Sequence, residues 1–293
     1  MGYDDCDWCR ACEGDRKRVA VATVVAGARG ALSANLLIDP LIGGFAMSEP
    51  KLIILDDAPS LHVHAAEEIA HFAGEAICMH AEFMLCLSGG STPAATYELL
   101  AERFRLSVDW KEVQFFWGDE RCVPPDDPES NFAMAYRTML SRLDVRPDQI
   151  HRIRGEEPPE QAALDYEEEL RASFGLGPGE FPRFNLTLLG LGDNVHVASL
   201  FPGHPAIHER ERIAVAVEVD APQRHRVTLT PPALNNSARV MFLVAGAGKA
   251  AAVKSALEGP HDPDRFPAQI IDPPTGEVIW LLDRAAASML SHT

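Results

Sequence analysis

The chain has 293 residues, 46% of them hydrophobic and 24% charged, with a formal net charge of −17. That length suits one large or two modest domains with a full core. The acidic balance excludes a broad nucleic-acid footprint, which needs clustered lysine and arginine, so an anionic small molecule has to be met by local positive charge.

Residues 1–46 differ from the rest. Cys6, Cys9 and Cys12 have C-x2-C-x2-C spacing, but no fourth ligand stands nearby, so no metal is expected. With Cys78, Cys86 and Cys122 they make no disulfide framework, which fits a reducing cytoplasm. The apolar run at 19–28 is too short to cross a membrane. Acidic residues and cysteines precede it, unlike a signal peptide. The folded domain is therefore expected over 47–293, with 1–46 an extension outside the fold.

From Lys51 the pattern is regular. "KLIILDD" reads as a buried strand, and the next segment spaces Ala66, Ile69, Ala70, Ala73, Ala76 and Ile77 as one helical face. "FMLCLSGGSTPAATYELLAERF" is strand, glycine loop and helix, with Thr92 as a possible cap and Pro93 in the first turn. "VQFFWGDERCVPP" is a strand followed by a charged cluster. A helix follows over 130–143, capped by Ser130 or Asn131, and another ends at Gly175. "FNLTLLGLG" is a buried strand, "RHRVTLTPPALNNS" a short strand and turn, and "RVMFLVAGAGKAAAVKSALEG" strand, loop and helix. "GEVIWLLDRAAASML" closes with a strand and a short helix. Continuous apolar strands alternating with helices predict an α/β fold: a mostly parallel sheet with helices on both faces. Ligands of such sheets sit at the carboxyl ends of the strands.

Four strand-end loops carry candidate chemistry. In "SGGSTP", Ser88, Gly89, Gly90, Ser91 and Thr92 precede a helix, where turned backbone N–H groups and the helix terminus suit a phosphate. It is neither a Walker A loop nor a nucleophile elbow. In "WGDERCVPPDDPESNF", Asp119, Glu120 and Arg121 stand where a buried strand emerges, and Arg121 can fork onto phosphate or a developing oxyanion. A surface ion cluster is the plainer alternative. Lys249 stands at a helix start, where the dipole disfavours it, so it meets an anion or is simply solvated. His196 lies in "LGLGDNVHVASLFPG" and is the one histidine at a strand end; His204 and His208 read as surface residues.

Taken in order, "SGGSTP", "WGDERCVPPDDPESNF", "GLGDNVHVASLFPG", "RVTLTPPALNN", "VMFLVAGAGKA" and "FPAQIIDPPTGEVIWLLD" resemble the 6-phosphogluconolactonases over 47–293. The resemblance implies a sugar-phosphate isomerase-like fold and hydrolysis of 6-phospho-D-glucono-1,5-lactone to 6-phosphogluconate in the pentose phosphate pathway. It implies no metal and no cofactor, no nucleic-acid or membrane partner, and a monomer or weak dimer. It gives residues 88–92 the phosphate, and Arg121, with Asp119 and Asn131, the phosphate or sugar oxygens. Arg226 and Lys249 add positive charge, and His196 is the general base. The family pattern before and after the histidine is Asp-Gly-His-Thr, whereas this chain has Asn194, Val195, His196 and Val197. Asn194 then orients the base without charging it. Valine is strained if the backbone at 195 is left-handed, so the loop takes another path or the glycine serves only to leave room. Two other readings follow: a catalytically impaired sugar-phosphate binder, and a deaminase or isomerase on the same fold.

Overall fold

The computed structural model describes residues 50–220 and 223–291. The expected extension over 1–46, with Cys6, Cys9 and Cys12, lies outside the described residues.

The strands in chain order are β1 (Lys51–Leu55), β2 (Phe83–Leu87), β3 (Val113–Trp117), β4 (Asp119–Arg121), β5 (Leu186–Leu189), β6 (Ala214–Glu218), β7 (His225–Leu229), β8 (Arg239–Val244) and β9 (Glu277–Asp283). The helices are α1 (Ala58–His80), α2 (Ser91–Arg103), α3 (Asn131–Thr138), α4 (Pro159–Phe174), α5 (Pro231–Asn235), α6 (Ala250–Glu258) and α7 (Arg284–Ala287). Six strands form one sheet in the order β1-β9-β8-β5-β2-β3, all parallel. Successive strand residues point to opposite faces, so the burial of every residue of β5 requires cover on both sides. The alanine-rich face of α1 supplies part of it: Ala66, Ile69, Ala70, Ala73 and Ala76 are buried as spaced, and Ile77 is half-buried.

The order of the strands places the site. From β2 the chain moves outward to β3, whereas from β5 it moves the other way to β8 and β9. The loops leaving β2 and β5 therefore diverge from neighbouring strands, which opens a crevice at their carboxyl ends.

Several elements differ from the sequence expectation. Helix α2 starts at Ser91 behind Gly90, which offers no side-chain cap, so Thr92 and Pro93 are inside its first turn and Thr92 is no cap. Helix α3 ends at Thr138 and is followed by a separate 3-10 turn, Leu140–Arg142. Ser130 is its cap: the Oγ accepts from Ala133 N–H at 3.0 Å. The segment after β7 is a short helix rather than a turn. A second sheet, antiparallel in the order β4-β7-β6, is also present, of which the sequence expectation contains only β7. Its β4 is three charged residues long and carries no apolar pattern.

Two buried tyrosines fix the strand ends that matter. The Tyr97 hydroxyl accepts from Ser88 N–H at 3.0 Å and donates to Ser88 C=O at 2.9 Å. Tyr166 makes the same pair of bonds to Trp117, both at 2.9 Å. Each hydroxyl satisfies both backbone groups of a residue leaving the sheet at the crevice. Tyr97→Phe leaves two buried backbone groups unpaired and is expected to cost about 2–4 kcal/mol, roughly 1–3 for each group lost less what relaxation recovers. Urea unfolding measures this; a cost below about 0.5 kcal/mol, the size of an ordinary surface change, would show that the clamp is idle.

Candidate active site

A cleft of about 320 Å³ opens at the carboxyl ends of β8, β5, β2 and β3. Ser88, Gly89, Gly90, Ser91, Thr92, Asp119, Arg121, Asn131, His196, Arg226 and Lys249 all line it. Asn194 is not on the wall but bonds to a residue that is. The four loops singled out in the sequence thus meet in one place.

The wall after β2 is built for close approach. A side chain at Gly89 would put its Cβ 1.9 Å from Asn131 Oδ1, so only glycine lets Asn131 lie against this loop. The Asn131 Nδ2 donates to Asp119 C=O at 2.9 Å and to Asp119 Oδ1 at 3.2 Å. The first turn of α2 has no side-chain cap, and Gly90, Ser91 and Thr92 line the cleft, an arrangement that suits an anion.

The opposite wall comes from the small sheet. Glu120 is buried, and burial pushes its carboxyl up, while four donors hold it down: Asn131 N–H, Phe132 N–H, Arg121 N–H and Ser130 Oγ–H. It ties the start of α3 to β4. Asp119 points the other way and accepts from Ser199 Oγ at 2.7 Å, which joins β4 to the loop after β5. Arg121 and Arg226 are directly opposite each other in the β4–β7 pairing. Like charges in that position repel. Arg226 is only 8% exposed, and burial lowers its pKa, with Arg121 adding to that and Asp119 opposing. Its Nε donates to Gln223 C=O and its guanidinium lies 5.4 Å from the Phe201 ring centroid. Arg121 donates from Nη1 to Glu129 C=O, while its Nε–H is buried without an acceptor among the described residues. Two guanidinium groups on one wall, that of Arg121 with an unsatisfied N–H, make a site for a forked anion.

His196 is held on all sides. A Cβ at Gly192 would fall 1.9 Å from His196 Nδ1, so the ring lies against a backbone that only glycine allows. Phe201 stacks on the ring at 4.2 Å and 18°. Asn194 Oδ1 lies 2.6 Å from His196 Nδ1 and also accepts the His196 backbone N–H at 3.4 Å. A backbone N–H can only donate, so the amide atom facing both is the oxygen, and Nδ1 carries the proton. The lone pair is then on Nε2. Burial pushes the His196 pKa from 6.5 down to about 4; Arg226 and Lys249 push the same way, and Asp119 and Asp193 oppose them. The imidazole is neutral at physiological pH.

Val195 keeps a left-handed backbone, with φ 68. The loop has not rearranged to suit the valine, and the side chain is not in the cleft: it is buried at 4% exposure. Its N–H donates to Gly192 C=O at 2.9 Å and its C=O accepts from Ala268 N–H at 3.0 Å. Left-handed geometry costs about 1–2 kcal/mol, and burying a valine returns about 1.5–2 kcal/mol. The two offset, which is why the chain tolerates valine beside its best candidate base.

Lys249 does not stand free before an anion. Its Nζ bonds to Asp193 Oδ1 at 2.6 Å, across the cleft rim. The sequence expectation left out Gly192, Phe201 and Ser199 as parts of this site. Gly192 is visible in "GLGDNVH", but its necessity depends on where the ring turns, and that is a tertiary fact.

Residues 56–280 match the family described as glucosamine-6-phosphate isomerases/6-phosphogluconolactonase. The chain belongs to that family. Similar members include the 6-phosphogluconolactonase of Nostoc sp., 38% identical over 239 residues, covering 81% of this chain and 97% of the relative. That of Synechocystis sp. is 42% identical over 217 residues, covering 74% and 88%. The structure of 6-phosphogluconolactonase from Trypanosoma cruzi superposes with a TM-score of 0.75 at 28% identity, covering 83% of this chain and 97% of that one. Among the described residues no helix is long and apolar enough to cross a membrane.

Proposed function

We propose that the chain hydrolyses 6-phospho-D-glucono-1,5-lactone to 6-phosphogluconate, as the names of its relatives suggest, and so serves the pentose phosphate pathway. The observation that carries the mechanism is the Asn194–His196 contact. With Nδ1–H committed to Asn194, His196 Nε2 takes a proton from water as its oxygen attacks the lactone carbonyl. The carbonyl oxygen gains charge, which Arg121 stabilises from the cleft wall. The tetrahedral intermediate collapses, the ring C–O bond breaks, and the imidazolium returns its proton to the leaving alkoxide. The loop at 88–92, with Lys249 and Arg226, holds the phosphate. The chemistry asks for a neutral base and for charged groups that position the lactone carbonyl, roles that His196 and the cationic residues of the cleft suit.

The test is lactone hydrolysis with the spontaneous rate subtracted, followed across pH. The base is unprotonated down to about pH 4, so kcat/KM is expected to stay level from neutral pH and to fall only on approaching that value. The stability linkage has the same sign. The folded-state pKa lies below the ordinary 6.5, so stability from the neutral ring is complete above that pH and is lost as pH falls toward about 4. Asn194→Asp sets a carboxylate beside Nδ1 and is expected to move the acid limb upward. A wild-type rate at the spontaneous background, with 6-phosphogluconate still bound, would replace this reading with that of a sugar-phosphate binder.

A further inference from the structure

At the rim of the cleft, Asp193 and Lys249 form an ion pair between the loop after β5 and the turn Ala247–Lys249 after β8. Asp193 is one residue from Asn194, where the family pattern carries the acid. We infer that Asp193 is a positioning residue that makes the basicity of His196 respond to the substrate: Lys249 masks its carboxylate in the free enzyme, and a bound phosphate draws Lys249 away and unmasks it. The inference rests on the proposed lactonase reading.

The geometry supplies both halves of the device. Both partners line the cleft, and Asp193 is the more exposed, with its side chain 84% accessible against 33% for Lys249. Among the described residues Lys249 is the cation that lines the cleft from this side, and an incoming dianion competes with a single carboxylate for its Nζ. The charged groups that bear on the His196 ring are Asp119 from β4, Arg226 from β7, Lys249 from the turn after β8, and Asp193 from its own loop. Asp119 already has a donor on each oxygen, from Asn131 and Ser199, so it is fixed. Arg226 is buried and packed over Phe201. The Asp193–Lys249 pair is the one whose partner can be taken by a ligand. Once unmasked, Asp193 favours imidazolium, which a neutral Asn194 cannot do by charge. The proton passes from water to Nε2 as before; only the stability of its destination changes.

The test reads the His196 imidazole directly by NMR titration, with and without 6-phosphogluconate or inorganic phosphate. A bound anion raises the His196 pKa in any case. Wild type is expected to show a rise larger by about one unit than Asp193→Asn, the shift that an opposite charge nearby produces. Asp193→Glu should restore most of it. In kinetics, Asp193→Asn is expected to lower kcat several-fold on the neutral plateau, where the strength of the base sets the rate, and to move the acid limb downward, while KM stays level or falls, because Lys249 is then unpaired. Equal ligand-induced shifts in wild type and Asp193→Asn, or a KM that rises, would overturn the inference. The titration needs no turnover, so it can fail while lactone hydrolysis stands. If hydrolysis is absent but the shifts differ, the lactonase reading fails and the coupling stands.

Discussion

His196→Gln is expected to lower background-corrected lactone hydrolysis by about 10²–10⁴-fold, the range that a positioned general base supplies. Glutamine can keep the stacking area against Phe201 and the bond to Asn194, so the loss isolates the basic nitrogen. Binding of 6-phosphogluconate should be largely retained, because the cationic groups are on other elements. Gly192→Ala provides a second route to the same result without touching the histidine. The new Cβ would overlap His196 Nδ1, and the ring has to swing off Asn194. Both variants should therefore fall together in kcat. A loss under about tenfold in both, less than general-base catalysis is worth, would mean that the attacking water is activated elsewhere.

Arg226→Met is expected to raise KM by about 30–150-fold, the equivalent of roughly 2–3 kcal/mol for lost charge-assisted hydrogen bonds. At the same time the unliganded protein should be no less stable, and its melting temperature level or higher. The reason is the pairing of Arg226 with Arg121 across β4 and β7. Two guanidinium groups directly opposite each other, one of them buried, oppose folding until an anion arrives. Methionine keeps an apolar stem over Phe201 and removes the charge. Arg226→Lys should recover little, because an ammonium cannot fork onto two oxygens. A KM that hardly moves, or a melting temperature that drops sharply, would show that the arginine is structural and the anion lies elsewhere.

Val195 shows where sequence reasoning meets its limit. A β-branched residue before the candidate base signals strain or a changed loop. The structure gives the strained alternative: the backbone is left-handed, and what the sequence did not show is that the side chain is buried away from the cleft, which offsets the strain. Lys249 is similar. Its place at a helix start suggests an anion partner, and in the free protein that partner is Asp193, 56 residues distant in sequence.

The sequence by itself determined the parallel sheet, most helices, and the four loops that carry the chemistry. Those signals are local: apolar runs, helical spacing, and glycine or charged residues at strand ends within a few positions. It did not determine the small sheet, because β4 is three charged residues whose burial depends on β7, more than a hundred residues away. Nor did it determine the state of His196. The tautomer follows from a 2.6 Å contact with Asn194, and the lowered pKa from burial, with Arg226 and Lys249 adding to it and Asp119 and Asp193 opposing. Those groups come from four strand ends, and only the packed sheet brings them to one imidazole.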